Sequence, residues 1–93
     1  MHMQFEWHAL KAETNSRKHG VTFDEARSCF FDAKQIAFYD PDHSGAEDRE
    51  LLIGHSNQGR ILLVSYTLRR DSIRIISARK ATAPEAKRYA QGL

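Results

Sequence analysis

At 93 residues the chain has the length of one domain, and its 41% hydrophobic and 28% charged residues are those of a globular fold, not of a disordered segment. Two large cofactor-binding lobes do not fit, no apolar run approaches the roughly 18 residues of a membrane span, and the single cysteine, Cys29, excludes a disulfide framework and a four-thiolate zinc site. The net charge of +2 conceals an asymmetry: six Lys/Arg stand against ten Asp/Glu in residues 1–59, and eight against two in residues 60–93. Six of those eight are arginine, whose planar fork suits phosphate and carboxylate. Such a basic part can hold a polyanion, dock an acidic protein, or pair with the acidic part of its own chain.

In chain order, Met1-His2-Met3-Gln4 lacks the basic and apolar regions of a signal peptide, so a cytoplasmic protein is expected. Gln4 to Trp7 alternates as a strand, with Phe5 and Trp7 on one side. Ala9 to His19 reads as a helix ended by Gly20. Thr22-Phe23-Asp24-Glu25 has the spacing of a capping box, and the helix it opens runs to about Phe31 and buries Phe23, Ala26 and Phe30. Cys29, beside two phenylalanines, reads as a small buried hydrophobe. Gln35 to Asp40 is a predicted strand, and the polar stretch Asp40 to Asp48, holding Pro41 and Gly45, a predicted loop. Three strands follow, about Arg49 to His55, Arg60 to Leu68 and Ser72 to Arg79, joined by turns short enough for an antiparallel meander. Thr82, Pro84 and Glu85 then open a final helix. The order strand, helix, helix, four strands, helix predicts a single α+β domain over residues 1–93, with helices on one face of a small antiparallel sheet and the other face open for a ligand.

The most informative segment is Ile73 to Thr82. Period two places Ile73, Ile75 and Ser77 on one face and Arg74, Ile76 and Ala78 on the other. An arginine in an apolar strand needs a partner, so Arg74 meets solvent, an acid or a phosphate. Arg79 and Lys80, where strand gives way to helix, are placed to clamp a phosphate and offset transition-state charge. Arg17-Lys18-His19 complements a helix C-terminus, and an imidazole is the side chain best suited to general acid or base work near neutral pH, which makes His19 a candidate for it. Asp40-Pro41-Asp42-His43 with Glu47 is an incomplete ligand set, so neither a metal nor a cofactor is expected. No phosphate-binding glycine loop, nucleophile elbow or CxxC occurs, which argues against nucleotide-dependent enzymes and thiol oxidoreductases.

Phe5-Glu6-Trp7, Lys11, Asn15 and the run Arg17 to Ala26, followed by Asp42-His43-Ser44, Glu47-Asp48-Arg49, Ile53-Gly54 and Ile73 to Thr82, resemble the BrnT toxin family over about Phe5 to Tyr89. The resemblance implies a RelE-like fold and the ribonuclease toxin of a type II toxin–antitoxin pair, inhibiting translation by RNA cleavage. It implies a DNA-binding BrnA-like antitoxin of ribbon-helix-helix type and a dimeric assembly through that complex. One departure is His8, where the family often carries an Asp able to cap the following helix.

For metal-independent RNA cleavage the residues expected to act are Arg79, Arg74 and Arg49 for charge stabilisation, His19 for proton transfer and Glu47 as base. Lys18, Lys80, Tyr66, Arg70 and Arg88 are expected to hold the RNA, Tyr66 also being a weaker acid. The alternative is a basic module without chemistry that binds an acidic protein or nucleic acid. A DNA-binding protein is disfavoured, because the basic residues lie mostly on strands and their ends and not on a recognition helix.

Overall fold

The computed structural model describes residues 3–44 and 48–92. In chain order these form β1 (Gln4–Glu6), α1 (Ala9–His19), α2 (Phe23–Ser28) continued by a 3-10 turn at Cys29–Phe31, β2 (Ile36–Ser44), β3 (Asp48–His55), β4 (Ile61–Arg69), β5 (Ser72–Lys80) and α3 (Ala83–Gln91). The sheet order is β1-β5-β4-β3-β2. Strands β2 to β5 make the antiparallel meander that their short turns predict. The first strand joins its edge parallel to β5, pairing Gln4 with Ser72 and Glu6 with Arg74, so the sheet is mixed and the class α+β. No helix among the described residues is long and apolar enough to cross a membrane.

The main core lies between the sheet and the first two helices. Leu52, Leu62, Val64, Tyr66, Ile73, Ile75 and Ala78 from the strands meet Val21, Phe23, Ala26 and Cys29. Edge-on aromatic pairs link the layers: Trp7 with Phe23 at 5.9 Å, Phe5 with Phe30 at 5.1 Å and Phe30 with Tyr66 at 5.0 Å. Each such pair stabilises by about 0.5–1.5 kcal/mol beyond its burial. Burial pushes the Cys29 thiol up to about 12, so the residue is the inert hydrophobe its neighbours predict.

The third helix corrects the expectation of an open second face. It crosses the side of the sheet opposite the first two helices, where the Arg88 guanidinium lies 4.1 Å above the Phe38 ring. Ile53 and Leu63 are buried on this side, apart from the main core. One end of the second face is therefore covered. At the far end of α3, Gly92 takes the left-handed conformation (φ 73°) that closes a helix.

Two local predictions are revised. Thr22 does accept the Glu25 amide at 3.1 Å, but the Glu25 carboxylate does not complete the capping box. It turns inward, to Arg60 Nε at 2.9 Å, to Arg60 Nη2 and to the Ser56 hydroxyl at 2.7 Å. The Arg60 guanidinium holds this carboxyl below the usual range against the opposing effect of burial. Thr82 and Glu85, with the same spacing, close both bonds of the box at α3. The predicted loop after Asp40 is instead strand as far as Ser44, with a register break after Tyr39; β2 is an edge strand, where a proline is tolerated. As its departure from the family pattern implies, His8 at the N-cap of α1 makes no side-chain cap bond.

Candidate active site

Helix α1 ends where Gly20 adopts the left-handed conformation (φ 67°) and returns its N–H to the Ser16 carbonyl at 2.8 Å. Along the helix, Lys11, Asn15 and Lys18 recur at the spacing of one stripe, with Thr14 beside them. Asn15 is the one buried residue of this helix. Its stripe lies against the outer edge of β5, beyond the point where β1 stops pairing.

Strand β5 does not keep period two. Tyr66 pairs with Ile75 and Ser65 with Ser77, leaving Ile76 as an extra residue, a β-bulge. Ile73 and Ile75 point into the core as predicted, but after the bulge Ala78 is buried and Ser77 is exposed, the reverse of the expected assignment. Ile76 and Ser77 thereby face the same shallow cleft as Lys11, Thr14, Lys18 and His19. The cleft has a volume of about 330 Å³, and Leu10 also lines it. Two ammonium groups, an imidazole and the Thr14 hydroxyl line it from α1, and the Ser77 hydroxyl from β5. That set can attract a phosphodiester, donate hydrogen bonds to it and move a proton.

Of the expected site residues, Lys18 and His19 line this cleft. The cations of the C-terminal part do not converge on one pocket. Arg74 donates to Glu6 at 3.2 Å, and Arg69 approaches the same carboxylate at 3.9 Å. Arg79 is held by Glu85 through two parallel bonds of 2.8 and 3.0 Å, although it shares the outward side of β5 with Ser77. Lys80 pairs with Leu62 at the other end of the strand and lies near Glu25. Arg88 covers Phe38, and Arg70, with φ 38°, forms the turn between β4 and β5. Arg49 is half-buried on β3. Tyr66 is 5% exposed in the main core; burial, then Glu50, raises its hydroxyl pKa, and that hydroxyl donates to Glu50 at 3.1 Å. Glu47 lies outside the described residues.

Lys11, Thr14, Ile76 and Ser77 complete the cleft without having been singled out as site residues from the sequence. The helical spacing of Lys11, Thr14 and Lys18 was the available signal for the first two. Nothing in the alternation of β5 announces the bulge that supplies the others. Among the described residues, no group of three His, Cys, Asp or Glu side chains is placed to hold a metal ion.

An α+β fold with a cationic cleft between its first helix and a sheet edge defines a class of small proteins suited to a phosphodiester chain. Two comparisons narrow that class. Residues 7–85 match the family described as the ribonuclease toxin BrnT of type II toxin–antitoxin systems. The fold superposes on the crystal structure of the Brucella abortus ribonuclease toxin BrnT with a TM-score of 0.67 and 25% sequence identity, covering 87% of this chain and 99% of that one. No curated protein matches the sequence. The chain belongs to the BrnT family of ribonuclease toxins.

Proposed function

We propose that this protein is an endoribonuclease toxin that binds its RNA in the cleft between α1 and β5 and cuts it without a metal. The carrying observation is the grouping of Lys11, Lys18 and His19 with Thr14 and Ser77 in one cleft of a chain that belongs to this family. In such cleavage a ribose 2′-hydroxyl loses its proton to a base and attacks the adjacent phosphorus. The leaving 5′-oxygen takes up a proton, which gives a cyclic phosphate and a free hydroxyl. His19 is the proton-transfer residue of this reading, Lys18 and Lys11 hold the phosphate, and Arg79, two residues beyond Ser77, supports the charge that builds on it. Arg74, Arg49, Glu47, Lys80, Tyr66, Arg70 and Arg88 receive no chemical step.

The wider setting follows the family. Cleavage inhibits translation in the cytoplasm, a BrnA-like ribbon-helix-helix antitoxin neutralises the toxin, and the two assemble as a dimeric complex. The domain is taken as residues 1–93. The test is cleavage of a defined RNA by purified protein in EDTA, with the product ends identified. Cyclic phosphate ends, lost in His19→Ala and strongly reduced in Lys18→Ala, support the reading. Cleavage that disappears in EDTA, or persists in both variants, overturns it.

A further inference from the structure

We infer that Asn15 is the positioning residue of this cleft, a single amide that fixes both of its walls; the inference rests on the cleft being the RNA site. The β1 strand pairs with β5 only as far as Arg74, so among the described residues the edge of β5 beyond it has no strand neighbour. Asn15 takes that place. Its Oδ1 accepts the Ala78 N–H at 3.1 Å and its Nδ2 donates to the Ala78 carbonyl at 2.8 Å, the two bonds a neighbouring strand would make. The same Nδ2 also donates to the Val21 carbonyl at 3.0 Å, fastening the turn that follows His19. Both amide hydrogens and the oxygen are used.

The position of these bonds matters more than their number. Lys11 lies one helical turn before Asn15 and Lys18 one turn after it, while Ser77 and Arg79 flank Ala78 on the strand. The groups that line the cleft are thus set at fixed offsets from the clamp, on both sides of it. An apolar residue would seal the joint between helix and strand but would let one slide along the other. A buried asparagine sets the register, and displacement of reacting groups by about 1 Å is enough to lower turnover about 100-fold. Mobile lysine side chains, in contrast, still reach a phosphate after such a slip.

The experiment compares Asn15→Ala with Ile53→Val, a core change on the face away from the cleft, at a temperature where circular dichroism shows both folded. Cleavage gives kcat and KM, and an uncleavable all-deoxy oligonucleotide gives the Kd. The expected result for Asn15→Ala is a kcat lowered about 100-fold with Kd changed less than about threefold, against near-normal kcat in Ile53→Val. A kcat within about threefold of wild type, or a loss equal to that of Ile53→Val, overturns the inference. If Asn15→Ala is unfolded, Asn15→Asp, which keeps the acceptor for Ala78, replaces it with the same two outcomes. Lys18→Ala and His19→Ala separate the two levels. Full activity in both overturns the cleft reading and the inference with it, whereas activity lost in both but kept in Asn15→Ala overturns the inference alone.

Discussion

Arg79 and Glu85 grip each other through a forked pair, Nη1 to Oε1 at 2.8 Å and Nη2 to Oε2 at 3.0 Å, and Oε1 of Glu85 also accepts the Thr82 N–H that opens α3. The guanidinium is therefore oriented before any substrate arrives, and it fixes the start of a helix. Both partners are only half-buried, and solvent screening limits the worth of the pair to about 1 kcal/mol. If Arg79 also supports a reacting phosphate, its loss and the loss of Glu85 must differ. We expect Arg79→Ala to lower RNA cleavage by about tenfold or more and Glu85→Gln by no more than about twofold, with similar small drops in thermal stability. Equal losses of activity in the two variants would reduce Arg79 to a helix fastener.

Salt dependence tests the lysines. A single-stranded RNA loses about 0.7 in the slope of log affinity against log salt for each phosphate contact removed. We expect Lys18→Ala and Lys11→Ala each to lower the slope by about that amount, while Lys34→Ala, an exposed residue on the chain between the 3-10 turn and β2, leaves it unchanged. Affinities measured by fluorescence anisotropy across a salt series decide this.

The uncapped start of α1 invites a gain of stability. His8 holds the cap position with φ −84° and ψ 124°, the extended backbone in which an Asp side chain reaches the amides of the first turn. His8→Asp is expected to stabilise by about 0.5–2 kcal/mol, from the cap bond and the favourable charge at the helix start. In a domain of this size each kcal/mol raises Tm by about 4–8 °C, which a thermal melt resolves.

Gly54 makes the opposite prediction. A Cβ there would stand 3.0 Å from both Cβ and the carbonyl oxygen of Cys29 and 3.1 Å from a Leu52 methyl. The contacts include backbone of the buried Cys29, which has little room to give. Gly54→Ala is expected to destabilise by about 1–3 kcal/mol, read as a shift in the urea midpoint with an unchanged slope.

The buried Glu25 sets an acid limit. Its partner Arg60, reinforced by Ser56, lowers its pKa from the ordinary 4.5 when the chain folds. A carboxyl depressed by folding contributes full stability above its unfolded pKa and loses it as pH falls through the folded value. Stability is thus expected to be insensitive to this group above about pH 5 and to decline below 4.5, and Glu25→Gln should flatten that part of the curve at the cost of a lower plateau. Unfolding titrations in urea from pH 7 to about pH 3 test this.

Much of the architecture was legible because local and global signals agree. The Thr82–Glu85 box, Gly20 as a helix stop and the short turns that join β3, β4 and β5 each have one physical solution, and the structure adopts it. Glu25 shows where that logic ends. It carries the same spacing from a threonine as Glu85 does, but Arg60, 35 residues away in sequence, competes for its carboxylate and wins. The candidate site was legible only on its helical wall. Lys18 and His19 could be read from their place at a helix end, whereas the arginines that composition favoured are drawn to Glu6 and Glu85, partners that only the pairing of β1 with β5 and the packing of α3 bring close.

The additional residue at Ile76 gives β5 two phases, one before it and one after. Chain length between Ile75 and Ala78 is consequently as much a determinant of this surface as side-chain identity. Removing Ile76 would restore one continuous ladder, with Ile75 opposite Tyr66 and Ser77 still opposite Ser65, so Ser77 and Arg79 would keep their outward direction. The surface would lose the bulged backbone that brings Ile76 to the cleft, while an insertion at the Arg70 hairpin tip would leave that backbone intact.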